Sequence, residues 1–337
     1  MFNFRFMQLF DNFAHVRNAL NETAGSVVTI GVFDGLHRGH QALIDRTTEQ
    51  AKARGLTSLI ITFSEHPLSI LAPPYCPKRL LSAPRRRQLF SELGVEMVAE
   101  VAFTEGFSNQ SPEEFVENLL VPLCKPNLIV CGYDFAFGKA GAGKTTLLTE
   151  LGAKHGFDVD VMAPVTDGEM FVKSTMIRDL LFGGDVVRAA HMLTRPYELN
   201  GVVTTGFGRG RTIGFPTANV LPPSDRVIPA RGVYLCVARV SGDPKVYAAV
   251  CNIGFNPTFE GHTQTIEAHL LDADVELPGR ELSLFFLARL RDEQKFPGVD
   301  ALVAQLNHDV STARELLAQP HHQATLKGVS RLTSNDA

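Results

Sequence analysis

VVTIGVFDGLHRGH, residues 27–40, decides the fold of the first half of the chain. An apolar, β-branched run reaches Phe33, Asp34-Gly35 turns the chain, and helical periodicity starts at His40. A strand buried on both faces and followed by a helix reads this way. Working outward, strand-like runs at Val27–Val32, Leu56–Phe63, Met97–Val101, Asn127–Cys131 and Phe157–Met162 alternate with helical patterns near 40–54, 85–93, 112–120, 145–155 and 174–182. That alternation predicts an α/β domain with a parallel sheet covered on both faces. Past 183 the pattern changes. Runs at 199–206, 231–240, 246–253, 263–272 and 281–292 are strand-like with turn residues between them, which predicts an antiparallel β-barrel closed by an amphipathic helix at about 298–317. Gly183-Gly184 and a short helix over 185–193 mark the expected hinge, dividing 1–184 from 185–320. The tail, 321–337, has no apolar period and is expected to be disordered.

Composition narrows the function. The chain's 337 residues exceed one average domain, and its net charge of −4 offers no broad basic surface for nucleic acid or an anionic membrane. Its apolar stretches have strand length, well short of the roughly 20 residues that cross a bilayer. The opening MFNFRFMQLFDNF lacks a basic leader and a small-residue cleavage site, so no export signal is read. The five cysteines are odd in number, widely spaced and without a CxxC pair, which suits a reducing cytoplasm and small-molecule chemistry.

The turn after the first strand sets His37 and His40 where a helix N-terminus offers amides and a positive dipole to a phosphate. Two imidazoles there can hydrogen-bond phosphoryl oxygens as charge builds in an in-line displacement, and neither need be a nucleophile. The plainer reading is a pair of surface turn histidines, or a metal pair. Gly138 to Thr145, GKAGAGKT, satisfies GxxxxGK[ST]. However, YDFAF separates the strand Leu128–Cys131 from Gly138, and Val159-Asp160 is the nearest candidate for a later magnesium-binding strand. A mobile glycine-rich loop is therefore expected there in preference to a phosphate loop.

In the second half, RPYELNGVVTTGFGRGRTIGFPTAN spans 195–219. Gly206, Gly208, Gly210 and Gly214 permit tight curvature, and Arg209 and Arg211 supply charge for a phosphate tail. A flexible hairpin with solvated arginines is the bland alternative. Thr217 and Asn219, one residue apart on an extended segment, share a face and present the hard oxygens that magnesium takes beside ATP phosphates. In TIEAH, 265–269, Glu267 lies opposite Ile266 in the strand alternation, where its carboxylate can accept the proton of an attacking hydroxyl. Taken alone it is more often an exposed strand carboxylate.

GxFDGxHxGH resembles the signature of cytidylyltransferase-like nucleotidyltransferases, and its Phe-Asp-Gly form looks like the FAD synthetase module of bacterial bifunctional riboflavin kinases. TFSEHP at 62–67, GYDFAFG at 132–138 and KSTMIR at 173–178 fall where that family has them. Over 185–317 the chain resembles riboflavin kinase through RPY, GFPTAN, GVY at 232–234, GFNPTF at 254–259, Glu267 and LRDEQKF at 290–296. The resemblance implies a Rossmann-like nucleotidyltransferase domain followed by a riboflavin-kinase-type barrel. Its implied activity is bifunctional: riboflavin is phosphorylated by ATP to FMN, and FMN is adenylylated to FAD with release of pyrophosphate. It implies an adenine pocket at Gly31, Phe33 and Asp34, a phosphate site at His37 and His40, a polar group at Asp134, and ATP phosphates held by Ser174, Thr175 and Arg178. For the barrel it implies an ATP arm at Gly206, Gly208, Arg209, Gly210 and Arg211, Mg2+ on Thr217 and Asn219, and Glu267 as general base. The partners it implies are riboflavin, FMN and ATP, with neither nucleic acid nor membrane.

Where relatives have arginine, glycine and an acid stand Gly141, Gly143 and Lys144, so Gly141 and Lys144 depart from the pattern, as do Lys173 in place of a serine, Thr194 in place of glycine, and Asn256 in place of arginine. They leave as an alternative a riboflavin kinase with a weakened adenylyltransferase domain. A flavin-binding regulator and a P-loop NTPase are the rivals from other classes.

Overall fold

In the computed structural model, which describes residues 7–205, 210, 213–258 and 261–333, the apolar runs of the first half stack into one sheet. The order along the chain is β1 (Gln8–Phe10), α1 (Phe13–Leu20), β2 (Ser26–Ile30), α2 (Arg38–Arg54), β3 (Thr57–Phe63), α3 (Leu68–Leu71), α4 (Ala83–Glu92), β4 (Met97–Val101), α5 (Glu105–Ser108) and α6 (Pro112–Phe115). A π-helical segment, Val116–Cys124, continues α6. There follow β5 (Pro126–Gly132), β6 (Ala136–Phe137), β7 (Gly143–Lys144), α7 (Thr145–His155), β8 (Asp158–Met162), β9 (Thr166–Asp167) and β10 (Met170–Phe171).

Strands β1-β4-β3-β2-β5-β8, in that spatial order, are all parallel. Every residue of β2, β3 and β4 is buried, which is why their sequences read as largely apolar runs, with Thr29, Thr62 and Glu100 buried among them. Helices cover both faces. Val28, Ile61, Ala99 and Ile129 pack against Val16, Leu120 and Leu148 on one side, and Ile60 and Val98 against Ile44, Leu89 and Phe90 on the other. The strand order reverses between β2 and β5, and the carboxyl ends at such a reversal form the ligand crevice of open α/β sheets.

The second unit starts with α8 (Ser174–Gly183) and α9 (Val186–Leu193). Its strands are β11 (Tyr197–Thr204), β12 (Ala218–Leu221), β13 (Gly232–Val240), β14 (Val246–Thr258), β15 (Gly261–Leu270) and β16 (Glu281–Arg291), followed by α10 (Val299–Leu317) and α11 (Pro320–Thr333). They close as β11-β12-β15-β14-β13-β16, with β16 returning to β11. Val233, Leu235, Val237, Val250, Phe285 and Leu287 form an apolar stripe on the barrel that α10 and α11 cover through Ala313, Leu326 and Val329. The Asp309 carboxylate, on α10, accepts from Arg291 Nε at 2.9 Å, Arg291 Nη2 at 2.7 Å and Gln305 Nε2 at 2.8 Å, pinning the helix to β16.

Two expectations change. The compact units part between Lys173 and Ser174, not at 184, because α8 joins the barrel: the Ala230 amide donates to the Leu181 carbonyl at 2.8 Å. The tail expected to be disordered is helical over Pro320–Thr333, since Leu326 and Val329 suffice to seat it on the barrel stripe.

Candidate active sites

At the carboxyl end of β2 the backbone leaves ordinary conformational space. Phe33 (φ 53°), Gly35 (φ 85°) and Leu36 (φ 43°) all adopt left-handed φ, and Phe33 and Leu36 do so while only 1% exposed. Such strain on large residues costs of order 1–3 kcal/mol each and persists where the surroundings over-determine the turn, as functional sites do. The Phe33 ring occupies the space beside Gly31, where a Cβ would stand 3.1 Å from it, and meets His40 edge-on at 5.3 Å. His37 caps α2: its Nδ1 accepts from the His40 amide at 3.3 Å. The two imidazoles stack at 3.7 Å and 17°. A Cβ at Gly39 would lie 3.3 Å from the His37 ring, so that glycine admits the imidazole. Gln41, which sequence reading passed over, donates to the Leu36 carbonyl at 2.7 Å and holds the turn shut.

Other expected residues fall as follows. Asp34 is buried and its carboxylate accepts from the Leu80 amide at 3.0 Å, tying the turn to the segment before α4. Asp134, just past β5, pairs with Lys173 Nζ at 2.9 Å. That ammonium also lies 5.4 Å from the Tyr133 ring centroid, and its hydrogen bond to Asp134 raises its pKa above the ordinary lysine value. The serine-to-lysine departure thus comes with its own counter-ion. Ser174 and Thr175 open α8, and Arg178, one turn on, is buried.

The GKAGAGKT segment folds as a tight hairpin. Ala136 pairs with Lys144 and Phe137 with Gly143, and the Lys139 amide donates to the Gln110 carbonyl at 2.7 Å. A Cβ on Gly138 would stand 2.6 Å from the Pro112 nitrogen, and one on Gly143 2.8 Å from the Phe137 ring. These glycines make room for protein, which explains the motif without a phosphate. Asp160, the candidate magnesium carboxylate of the P-loop reading, is paired with Arg46 at 2.7 Å.

In the barrel, β12 and β15 bring the chemistry together. Asn219 stands directly opposite Glu267, and Asn252 of β14 flanks Glu267 on its other side. Directly opposed residues share a sheet face, so an amide–carboxylate–amide row crosses three strands. His269, two residues along β15, bonds the Pro216 carbonyl through Nδ1 at 2.8 Å and meets Phe215 edge-on at 5.4 Å. It anchors the GFPTAN turn just before Thr217, a role that its strand parity with Glu267 made discoverable. At Gly210 a Cβ would fall within 2.2 Å of the Phe215 carbonyl, so only glycine fits this close to the turn at that position. A cleft of about 810 Å³ opens here, lined by Thr204, Gly210, Thr217, Asn219, Asp274 and Glu276. Gly206, Gly208, Arg209 and Arg211 lie outside the described residues, as do the side chain of Asn256 and residue Phe259.

Comparison with known proteins agrees with this division. The FAD synthetase family pattern matches residues 19–176 and the riboflavin kinase pattern residues 193–317. A bifunctional riboflavin kinase/FMN adenylyltransferase from Escherichia coli K12 is 36% identical over 291 residues, 86% of this chain and 92% of the relative. The chain belongs to the bifunctional riboflavin kinase/FMN adenylyltransferase family. Family members from Bacillus subtilis 168 (36% over 297 residues, 87% of this chain and 92% of that one) and Listeria monocytogenes (37% over 295 residues, 87% and 93%) match equally well. A solved structure described as a macrolide-efflux protein from Streptococcus pneumoniae superposes with a TM-score of 0.80 at 30% identity, covering 92% of this chain and 99% of that one. Among the described residues no helix is long and apolar enough to cross a membrane. Both family domains are therefore present in one chain.

Proposed function

We propose that this protein phosphorylates riboflavin to FMN on its barrel and adenylylates FMN to FAD on its parallel-sheet domain, using ATP in both steps. The observation that carries the reading is the placing of Glu267 in register with Asn219, beside the cleft that Thr217 lines. In the first step Glu267 takes the proton of the ribityl 5′-hydroxyl, whose oxygen attacks the γ-phosphorus of ATP as ADP leaves. Thr217 and Asn219 fit Mg2+: they offer two neutral oxygen donors, and this ion keeps its remaining positions for phosphate and water. When bound, the ion neutralises charge on the phosphate oxygens. The arm at Gly206, Gly208, Arg209, Gly210 and Arg211 covers the ATP phosphates.

In the second step an FMN phosphate oxygen attacks the α-phosphorus of ATP and pyrophosphate departs. His37 and His40, held by the strained turn at the α2 N-terminus, stabilise the charge that builds on the transferring phosphoryl group. Gly31, Phe33 and Asp34 shape the adenine pocket. Asp134 contributes a polar group, and Ser174, Thr175 and Arg178 hold the ATP phosphates. The five free cysteines suit a reducing cytoplasm.

The test is a purified-protein assay with riboflavin, ATP and Mg2+, reading FMN and FAD separately. His40→Ala is expected to stop FAD formation and leave FMN formation intact. Production of neither flavin by the wild type refutes the reading.

A further inference from the structure

Arg86, on α4, has no part in the chemistry above, yet it is only 8% exposed and reaches into the carboxyl end of the parallel sheet. Its Nη1 donates to the Val32 carbonyl at 3.1 Å, and its Nη2 to the Phe63 carbonyl at 2.7 Å and to Glu100 Oε1 at 2.5 Å. Val32 follows β2, Phe63 ends β3 and Glu100 lies on β4, so one guanidinium ties together three adjacent strands. Glu100, 6% exposed, accepts a further bond from Arg87 Nε at 2.5 Å. Burying such a cluster carries a desolvation penalty, and an apolar packing of similar volume often stabilises a fold as well or better. What an apolar residue cannot do is fix the Val32 carbonyl. The next residue, Phe33, holds its left-handed φ with its ring edge-on to His40 on one side and to Phe90, also on α4, at 5.8 Å on the other. Rotation of the Val32 peptide would let that ring, and the imidazole it supports, move.

We infer that Arg86, oriented by Glu100, is a positioning residue for adenylyl transfer, locking the Val32 peptide so that Phe33 holds His40 in its reactive place. The inference rests on the proposed adenylyltransferase activity. Its test uses the full-length chain and follows FAD formation from supplied FMN, with FMN formation from riboflavin as a control carried by the other domain. Arg86→Met is expected to lower kcat for FAD formation about 10- to 100-fold, the scale of an ångström-sized misplacement. KM for ATP is expected to rise less than kcat falls, because Phe33 also shapes the proposed adenine pocket while the imidazole acts in the transition state. Arg86→Lys, which restores donors at the carbonyls, is expected to recover part of the lost kcat. Turnover is expressed per folded molecule, well below the variant's own unfolding transition. An unchanged kcat in Arg86→Met, a loss that falls on KM alone, or no recovery in Arg86→Lys overturns the inference. If Arg86→Met does not fold, Arg86→Gln, which keeps one amide donor, replaces it under the same criteria. Wild-type protein that makes no FAD from FMN overturns both readings together, whereas wild-type turnover with an undiminished variant overturns this one alone.

Discussion

Glu267 stands in strand register between Asn219 and Asn252, with His269 one alternation along the same strand. In its proposed role as general base it would contribute typically 10²–10⁴-fold to the proton transfer. Glu267→Gln, which keeps shape and hydrogen bonding, is expected to lower kcat for FMN formation by about that factor while FAD formation from supplied FMN continues; steady-state assays of both steps check it. Residues of this kind could be proposed from sequence, because the turn-plus-histidine and GFPTAN segments hold their chemistry contiguously and strand alternation gives the shared face. Arg86 was not. Within APRRRQLF nothing in the local pattern separates it from Arg85 and Arg87, and its partner Glu100 lies on another element. Gln41 escaped notice for a related reason: its bond to the Leu36 carbonyl depends on a left-handed turn that sequence does not display.

At the scale of elements, the β6–β7 hairpin separates a motif from its usual meaning. GxxxxGK[ST] is met here by glycines that face Pro112 and Phe137, so the contacts are those of packing. Gly143→Ala is expected to destabilise the N-terminal domain by about 1–3 kcal/mol through overpacking. Lys144→Ala, on an exposed side chain, should stay within about 0.5 kcal/mol. Chemical denaturation of the two variants measures the contrast, and a P-loop would invert the importance of the two positions. The central strands were readable because burial on both faces leaves them predominantly apolar; β1 was not, since three residues with two exposed carry no period. The expected helix over 112–120 proved to be α6 with a π-helical continuation to Cys124 that contains Pro122, where a local pattern carries no signal for the change of hydrogen-bonding period.

For the whole molecule, the helix α11 lies beyond the stretch matched by the riboflavin kinase pattern and covers barrel surface that would otherwise face water. Its sequence looked polar because only one stripe is used. His322, near its start, is buried, and that burial, aided by neighbouring His321, lowers its pKa below the ordinary histidine value. The sign follows from proton counting. Above the ordinary value the imidazole is neutral whether docked or not; as pH falls through it, the undocked helix binds the proton first, so docking weakens progressively toward the depressed folded value. Hydrogen exchange over 320–333 is expected to speed up at about pH 5 relative to about pH 8, beyond the intrinsic pH dependence of exchange. Replacing His322 with phenylalanine should remove the excess.

The closure of the barrel also sets a timetable. Its first strand, β11, pairs with its last, β16, and Asn200 bonds Glu281 across 81 positions of the chain. A ribosome adding roughly 5–20 residues per second takes about 4–16 s to cover that distance. The parallel sheet has all its strands once β8 has emerged, but β11 waits with one edge open until β16 is made. The hazard of edge-to-edge aggregation therefore belongs to synthesis, and it ends when the last strand arrives.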